Sequence, residues 1–266
     1  MRKVLVLPDM QIYERNGHID GLDLKTWESV KAYARTVRWD EVVLMGDFLD
    51  FNAISSHNKE NLRSIEKQRI AKDYKVGNII LDEIQKICKK VTLIEGNHEY
   101  RMERLINLYP ALEGITEVEK GLRLEERGIN FIKSWSKGDI YKVGKAIFIH
   151  GLYTNDAHAK KTVSRYGTNV FYGHTHDVQS YSQELKGDNK TIVGQSLGCL
   201  CRYDLPYMHG RPSKWQQAFS VFWFRDNGFF NYSLVRIFQN SFIAPDGKFY
   251  APKKKMHFVD VNGKTI

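Results

Sequence analysis

The chain has 266 residues, 42% of them hydrophobic, which is enough to bury one sizeable core, so we expect a single domain over residues 1–266. Its 40 Lys and Arg against 31 Asp and Glu give a net charge of +9. This excess favours a polyanionic partner, although a basic surface that only maintains solubility is equally common. The first residues predict no signal peptide, since their apolar stretch ends early. The sequence shows no apolar run of the roughly 20 residues that span a membrane, and its number of cysteines is odd. Export, membrane insertion and a disulfide framework are therefore disfavoured, and a cytoplasmic location is expected.

Five short apolar runs predict buried strands, and each is followed by a polar residue that can bind a metal ion. The runs are 4–7 before Asp9, 42–45 before Asp47, 91–94 before Asn97, 146–149 before His150, and 170–172 before His174. Glycine lies beside four of these polar residues, where it permits a sharp turn and a close approach of the backbone. The pattern predicts a set of side chains at the carboxyl ends of strands.

Helical periodicity occurs between these strands, in residues 22–37, 61–89, 99–108 and 155–166. Alternating strands and helices predict an α/β fold, in which ligands bind beyond the carboxyl ends of the strands. From about residue 177 the chain becomes β-rich, with predicted strands at 178–184, 191–197, 219–224 and 229–238. We expect these last strands to form a second, antiparallel sheet that packs on the first.

The polar residues belong to five short motifs that occur in chain order. They are D-x-Q at Asp9 and Gln11, G-D-x-x-D at 46–50, G-N-H-E at 96–99, His150 in IFIHG, and G-H-T-H at 173–176. Any one of them has an ordinary explanation as a helix cap or a core histidine. The ordered set, which spans about two-thirds of the chain, resembles the calcineurin-like metallophosphoesterase superfamily, and the chain as a whole resembles its phage and prophage members. If the protein is phage-encoded, it would act in the host cytoplasm.

This resemblance implies a four-layer α/β/β/α sandwich of two mixed sheets flanked by helices, and a metal-dependent phosphoric ester hydrolase. It also implies two divalent metal ions bridged by Asp47, with a hydroxide between them as the nucleophile. The first ion would be held by Asp9, Gln11, Asp47 and His176, and the second by Asp47, Asn97, His150 and His174. His98 resembles the family's catalytic histidine, which protonates the leaving group, and Asp50 either orients His98 or stabilises the turn.

The donor types agree with this interpretation, because carboxylate, imidazole and amide oxygen suit hard or borderline cations. The family usually has histidine where this chain has Gln11, and an amide oxygen is a weaker, neutral donor. We therefore expect Mn²⁺, with Zn²⁺, Fe, Ni²⁺ or Mg²⁺ as alternatives, and looser binding of the ion beside Gln11.

Basic and aromatic residues in the loops after these motifs are candidates for substrate binding, since they can hold phosphates and stack on bases. They are Tyr13, Arg15, His57, Tyr100, Arg101, Tyr153, Arg202 and Arg211. Together with the net charge they favour a phosphodiesterase or nuclease acting on nucleic acid. A phosphomonoesterase or nucleotide pyrophosphohydrolase acting on small molecules is the alternative. A non-catalytic binding protein on the same core is a third possibility, which only Gln11 encourages.

Overall fold

A computed structural model describes residues 1–58, 62–205, 208 and 210–253, with the side chains of residues 57 and 64 outside the description. The helices are α1 Leu24–Ala34, α2 Ile70–Ile87, α3 Tyr100–Leu108, α4 Val118–Gly121, α5 Ser134–Lys137 and α6 His158–Tyr166. Strands in the first half are β1 Arg2–Leu7, β2 Tyr13–Arg15, β3 His18–Asp20, β4 Glu41–Leu44, β5 Val91–Ile94 and β6 Asn130–Ile132. Strands in the second half are β7 Tyr141–Val143, β8 Ala146–Ile149, β9 Asn169–Tyr172, β10 Ser180–Leu185, β11 Lys190–Ser196, β12 Ala218–Phe224, β13 Phe230–Arg236, β14 Phe242–Ile243 and β15 Phe249–Tyr250.

Two mixed sheets form the centre of the fold. The first has the order β13-β12-β1-β4-β5-β6, in which β1, β4, β5 and β6 run parallel and β12 runs antiparallel to β1. The second has the order β10-β11-β9-β8-β7, in which β8, β9 and β11 run parallel and the two edge strands run antiparallel. The strand pattern of the sequence thus produces two sheets, each with a parallel core.

The core consists of three apolar layers. Each of them lies between two of the four layers of secondary structure. Side chains such as Val6 of β1 and Phe171 of β9 meet between the two sheets. On the outer face of the first sheet, α1 and α2 bury residues such as Trp27 and Ile80. On the outer face of the second sheet, α6 packs Val163 against β8, β9 and β11. The α/β/β/α sandwich is therefore confirmed, and no helix in the described part of the chain is long and apolar enough to cross a membrane.

Helix ends agree with local chemistry. The Asp23 side chain accepts hydrogen bonds from the amides of Lys25 and Thr26 and so caps α1. Gly167, with φ of 61°, ends α6 in the left-handed conformation that glycine adopts at low cost. The Asp23 cap explains why the helix predicted near residues 22–37 begins only at Leu24, and Gly167 explains why the helix predicted over 155–166 ends at Tyr166 as expected.

Two predictions about the architecture are wrong. The helix expected over 61–89 begins only at Ile70. Residues Leu62–Ile65 form a 3₁₀ turn instead. Because Leu62 is largely exposed, this segment lacks the packed apolar face that would stabilise a helix. The C-terminal strands do not form a separate antiparallel sheet. β12 and β13 extend the first sheet beside β1, whereas β10 and β11 extend the second. That the chain is one domain stays a prediction.

Candidate metal centre

The five polar residues that follow the apolar runs come from both sheets. Asp9, Asp47 and Asn97 follow β1, β4 and β5 of the first sheet, and His150 and His174 follow β8 and β9 of the second. The carboxyl ends of these parallel strands meet at one edge of the sandwich, as expected for α/β folds. The approach is close enough that a Cβ at Gly46, where φ is 90°, would lie 2.5 Å from Nδ1 of His150.

The backbone is strained at this edge. Among non-glycine residues, five of the predicted ligands have positive φ: Asp9 at 35°, Gln11 at 52°, Asp47 at 47°, His174 at 69° and His176 at 58°. Side-chain-bearing residues rarely adopt this region, and strain of this kind concentrates at functional sites. The turns therefore hold these side chains in directions that relaxed strands would not produce.

A first set of donors consists of Asp9, Asp47 and His176, whose ligand atoms all lie within 4.8 Å of one another. Nε2 of His176 lies 3.2 Å from Oδ1 of Asp9. The other carboxylate oxygen of Asp9, Oδ2, is buried and has no hydrogen-bond partner among the residues that the structure describes. Because a buried, unpaired carboxylate oxygen is costly, this atom fits the place of a cation ligand.

Gln11 lies against this first set with its amide nitrogen inward. Nε2 donates to Oδ2 of Asp47 over 3.1 Å and lies 3.4 Å from Nε2 of His176, whereas Oε1 is buried without a partner. A half-turn of the amide exchanges the two atoms and would direct the carbonyl oxygen at the donors. Gln11 is therefore placed to ligate only after that turn.

A second set of donors consists of Asp47, His150 and His174. Oδ1 of Asn97 lies 2.8 Å from Nδ1 of His174 and 3.0 Å from Nε2 of His150. Nδ1 of His150 donates to the carbonyl oxygen of Met45 over 2.8 Å, which leaves Nε2 directed at the site. Asp47 belongs to both sets: Oδ1 lies 3.3 Å from His150, and Oδ2 faces Gln11.

Electrostatics in the cluster favour the cation-binding forms of Asp47 and His174 but the protonated form of His150. Burial would raise the pKa of Asp47, but His150 and His98 outweigh it and hold that pKa well below its usual value. Burial, reinforced by the charge of His150, lowers the pKa of His174 to about 3. Burial also opposes the charged form of His150, yet Asp47 raises that pKa to about 10. Binding of a metal ion should therefore release a proton from His150.

Glu99 connects the two loops that carry Asp47 and Asn97. Its buried carboxylate accepts three backbone N–H groups, from Asp47 over 2.8 Å, Leu49 over 3.0 Å and Gly96 over 2.9 Å. Burial and the charge of Asp47 raise its pKa to about 7. Sequence reasoning assigned no role to Glu99, although the G-N-H-E motif contains it.

His98 is oriented toward the same cavity. Its Nδ1 donates to the carbonyl oxygen of Asp50 over 2.9 Å. Oδ1 of Asp50 is as close, at 2.9 Å, but lies outside hydrogen-bond geometry. Nε2 of His98 lies 3.6 Å from Oδ2 of Asp47 and 3.1 Å from a guanidinium nitrogen of Arg101. The backbone of Asp50 therefore fixes the ring, and Nε2 is left on the side of the donor sets.

A cavity of about 180 Å³ opens onto this cluster, and Asp47, Asn97, His98, His174 and His176 line it together with Arg101. Two tryptophans border the cluster. The ring centre of Trp135 lies 5.1 Å from that of His174, and the ring centre of Trp215 lies 4.3 Å from that of His176. Sequence reasoning missed Trp135, which no motif marked.

The predicted substrate-binding residues do not converge on this cavity. Arg101 lines it. Tyr13 instead is buried in the core beside Cys199, Cys201 and Leu205, where it packs against apolar side chains and does not face a substrate. This apolar neighbourhood explains why Tyr13 is a core residue and not part of a substrate-binding loop.

The remaining candidates lie elsewhere. Arg15 borders a separate cavity, Arg202 is paired with Asp20 over 2.6 Å, and Arg211 is exposed. Half-buried Tyr100 begins α3, and the ring of Tyr153 lies 4.2 Å from the ammonium group of Lys161. The side chain of His57 lies outside the described structure.

The chain belongs to the calcineurin-like phosphoesterase family, whose model matches residues 2–193. It is 25% identical over 232 residues to the Gene 54 protein of Mycobacterium phage L5 and, to the same extent, to that of Mycobacterium phage D29. Each alignment covers 83% of this chain and 88% of the relative. Among solved structures, Vps29 of Chaetomium thermophilum aligns over 89% of this chain and 98% of its own, with 8% identity and a TM-score of 0.40. The predicted superfamily is thus confirmed, and the two phage relatives agree with the expected resemblance to its phage members. The family supports metal-dependent hydrolysis of phosphate esters.

Proposed function

We propose that the protein is a two-metal phosphodiesterase that acts on nucleic acid, with Asp47 as the bridging ligand. The observation that carries this proposal is the pair of donor sets that share Asp47, one on each side of its carboxylate. The unpaired buried oxygens of Asp9 and Gln11 support a cation in the first set. The two donor sets that contain Asp47 consist of oxygen and imidazole donors, which favour Mn²⁺.

Two divalent ions bound there would activate water as the nucleophile and neutralise charge on the phosphoryl oxygens. The protein's own groups do the rest. His98 directs Nε2 into the cavity and, when protonated, can donate that proton to the leaving alkoxide. The guanidinium group of Arg101, 3.1 Å from the same nitrogen, can hold a phosphoryl oxygen beside it. His98 is thus the proposed general acid, and Arg101 positions the phosphate.

The net charge of +9 and the presence of Arg101 and Trp215 at the cavity favour a polyanionic substrate that carries bases. The similarity to two phage proteins favours a role inside an infected host cell. We therefore favour DNA or RNA over a small phosphomonoester.

A substrate panel tests the proposal. The Mn²⁺-loaded protein should hydrolyse bis-p-nitrophenyl phosphate and labelled single- or double-stranded DNA or RNA faster than p-nitrophenyl phosphate. An Asp47→Asn variant should lose metal binding and activity together. Cleavage of the monoester alone would favour a phosphomonoesterase, and inactivity with Mn²⁺, Zn²⁺, Fe²⁺, Ni²⁺ and Mg²⁺ would favour a binding protein.

A further inference from the structure

A second cavity, of about 300 Å³, adjoins the candidate metal centre. Its walls are the loop before α6, the turn that follows β9, and the segment at Lys214 and Trp215. His174 and Trp215 line both cavities. A ligand whose phosphate lies against His174 can therefore extend past the indole ring into this neighbouring space.

The lining of the second cavity includes two carboxylates, those of Asp156 and Asp177. His158 lies at its buried side and is paired with Asp177 over 3.0 Å. At the exposed rim, Lys214 is paired with Asp156 over 2.5 Å. Since Lys214 already faces one carboxylate and a second carboxylate lies beside His158, the described lining offers little attraction for a further phosphate. A neutral group with hydrogen-bonding edges is the better match.

The indole ring of Trp215 forms an apolar wall of the second cavity. The indole is half-buried and meets the ring of His176 edge-on, with ring planes at 64° and centres 4.3 Å apart. Aromatic side chains bind nucleobases by stacking, largely without regard to base identity. Exposed Thr154 and Asn155 at the rim add a hydroxyl and an amide that can meet polar base edges.

We propose that this second cavity binds the nucleoside attached to the scissile phosphate, so that nucleotidyl diesters are better substrates than simple alkyl or aryl diesters. Its volume lies at the lower end of the roughly 300–1,000 Å³ of small-ligand sites, which suits one nucleoside and not a longer segment. The inference rests on the proposed phosphodiesterase function, because the phosphate must lie at the neighbouring metal centre.

Two diesters with the same leaving group provide the kinetic test. Thymidine 5′-(p-nitrophenyl) phosphate and methyl p-nitrophenyl phosphate both release p-nitrophenol, and they differ only in the nucleoside. With Mn²⁺, the protein should prefer the thymidine ester by about tenfold or more in kcat/KM. Trp215→Ala should reduce that preference roughly tenfold, and Trp215→Phe should retain most of it. The ratio of the two substrates cancels any effect that Trp215 has on the metal centre through His176.

Phe229→Ala is the matched control, since Phe229 is an exposed aromatic residue in the β12–β13 turn, at the opposite end of the first sheet. It should leave the preference unchanged. Equal cleavage of both diesters by the unaltered protein would overturn the nucleoside site and leave the phosphodiesterase proposal intact.

Binding of thymidine alone separates the two proposals completely. Measured by calorimetry with EDTA present, thymidine should bind saturably, more weakly to Trp215→Ala and equally to Phe229→Ala. Such binding would support the nucleoside site even if neither diester were cleaved, a result that would count only against the phosphodiesterase. Absence of saturable binding would overturn the site.

Discussion

Replacement of Glu99 by glutamine tests whether this side chain holds the two metal-binding loops together. One carboxylate oxygen, Oε2, accepts the amides of Asp47 and Gly96, and Oε1 accepts the amide of Leu49. Glutamine is nearly isosteric, so its carbonyl can still accept the first pair of donors. Its NH₂ group would then face the N–H of Leu49, and a donor would meet a donor.

The magnitude follows from the number of donors left without an acceptor. One buried N–H without a partner costs about 1–3 kcal/mol, so Glu99→Gln should lower the free energy of unfolding by that amount at about pH 5. At higher pH, ionisation of Glu99, whose pKa is raised to about 7, reduces the stability of the unaltered protein, and the difference between the two proteins becomes smaller. Glu99→Ala leaves all three donors unpaired and should lower the free energy of unfolding by at most about 3–9 kcal/mol. A loss of that size is comparable with the total stability of many domains. The glutamine variant is therefore the informative one.

Urea unfolding in EDTA measures the stability of the Glu99→Gln variant, and calorimetry with Mn²⁺ measures its metal affinity. Both should fall, because the loops of Asp47 and Asn97 lose a common acceptor. Glu95→Gln is the matched control: one oxygen of this buried carboxylate, Oε2, accepts both the amide and the hydroxyl of Ser136, and neither metal loop donates to it. A glutamine carbonyl can replace that oxygen, so both metal affinity and stability should change little. Unchanged metal affinity in Glu99→Gln, or an equal loss in Glu95→Gln, would refute the reasoning.

Four further predictions each concern a single side chain. Gln11→His should tighten binding of one of two Mn²⁺ ions, because imidazole is a stronger donor than an amide. Calorimetric titration with Mn²⁺ measures this affinity, and an unchanged affinity would place Gln11 outside the site. His98→Ala should lower kcat roughly 10²–10⁴-fold with the metal content intact by elemental analysis. Asp50→Asn should cost much less, because the contact with His98 uses the backbone carbonyl oxygen; an equal loss would show that the carboxylate matters. Burial raises the pKa of Asp73 to about 7 from 3.8, so its contribution to stability is present at low pH and is lost as the pH rises to about 7. Asp73→Asn should therefore gain about 2–3 kcal/mol over the unaltered protein between pH 5 and pH 8, and urea unfolding curves with a constant difference would contradict this.

The sequence predicted the elements that carry the site because their signals are local. Apolar runs bounded by a turn mark β1, β4, β5, β8 and β9, and all five strands are confirmed. The failure at 61–89 has the same origin. The helical periodicity of the sequence includes residues 62–65, which form a 3₁₀ turn. Whether these residues bury an apolar face depends on tertiary contacts, which the local sequence pattern does not reveal.

The substrate-binding residues show the limit of local signals most clearly. Tyr13 and Arg101 both follow a predicted strand and motif, yet Tyr13 is core and Arg101 lines the cavity. Trp135 and the acceptor role of Glu99 also became visible only in three dimensions. Whether a polar or aromatic side chain is buried or faces a ligand depends on which distant segments pack on it.

The sequence by itself determined which family this chain belongs to, which strands end in metal-binding side chains, and in what order they occur. Only the tertiary structure decided how those side chains meet. Asp9, Asp47 and Asn97 come from one sheet and His150 and His174 from the other, so the cluster exists only because the two sheets pack with the carboxyl ends of their strands together. The reason is physical: strand formation follows from residues close in the chain, whereas the distances between donors, their burial and their pKa shifts arise from contacts more than one hundred residues apart.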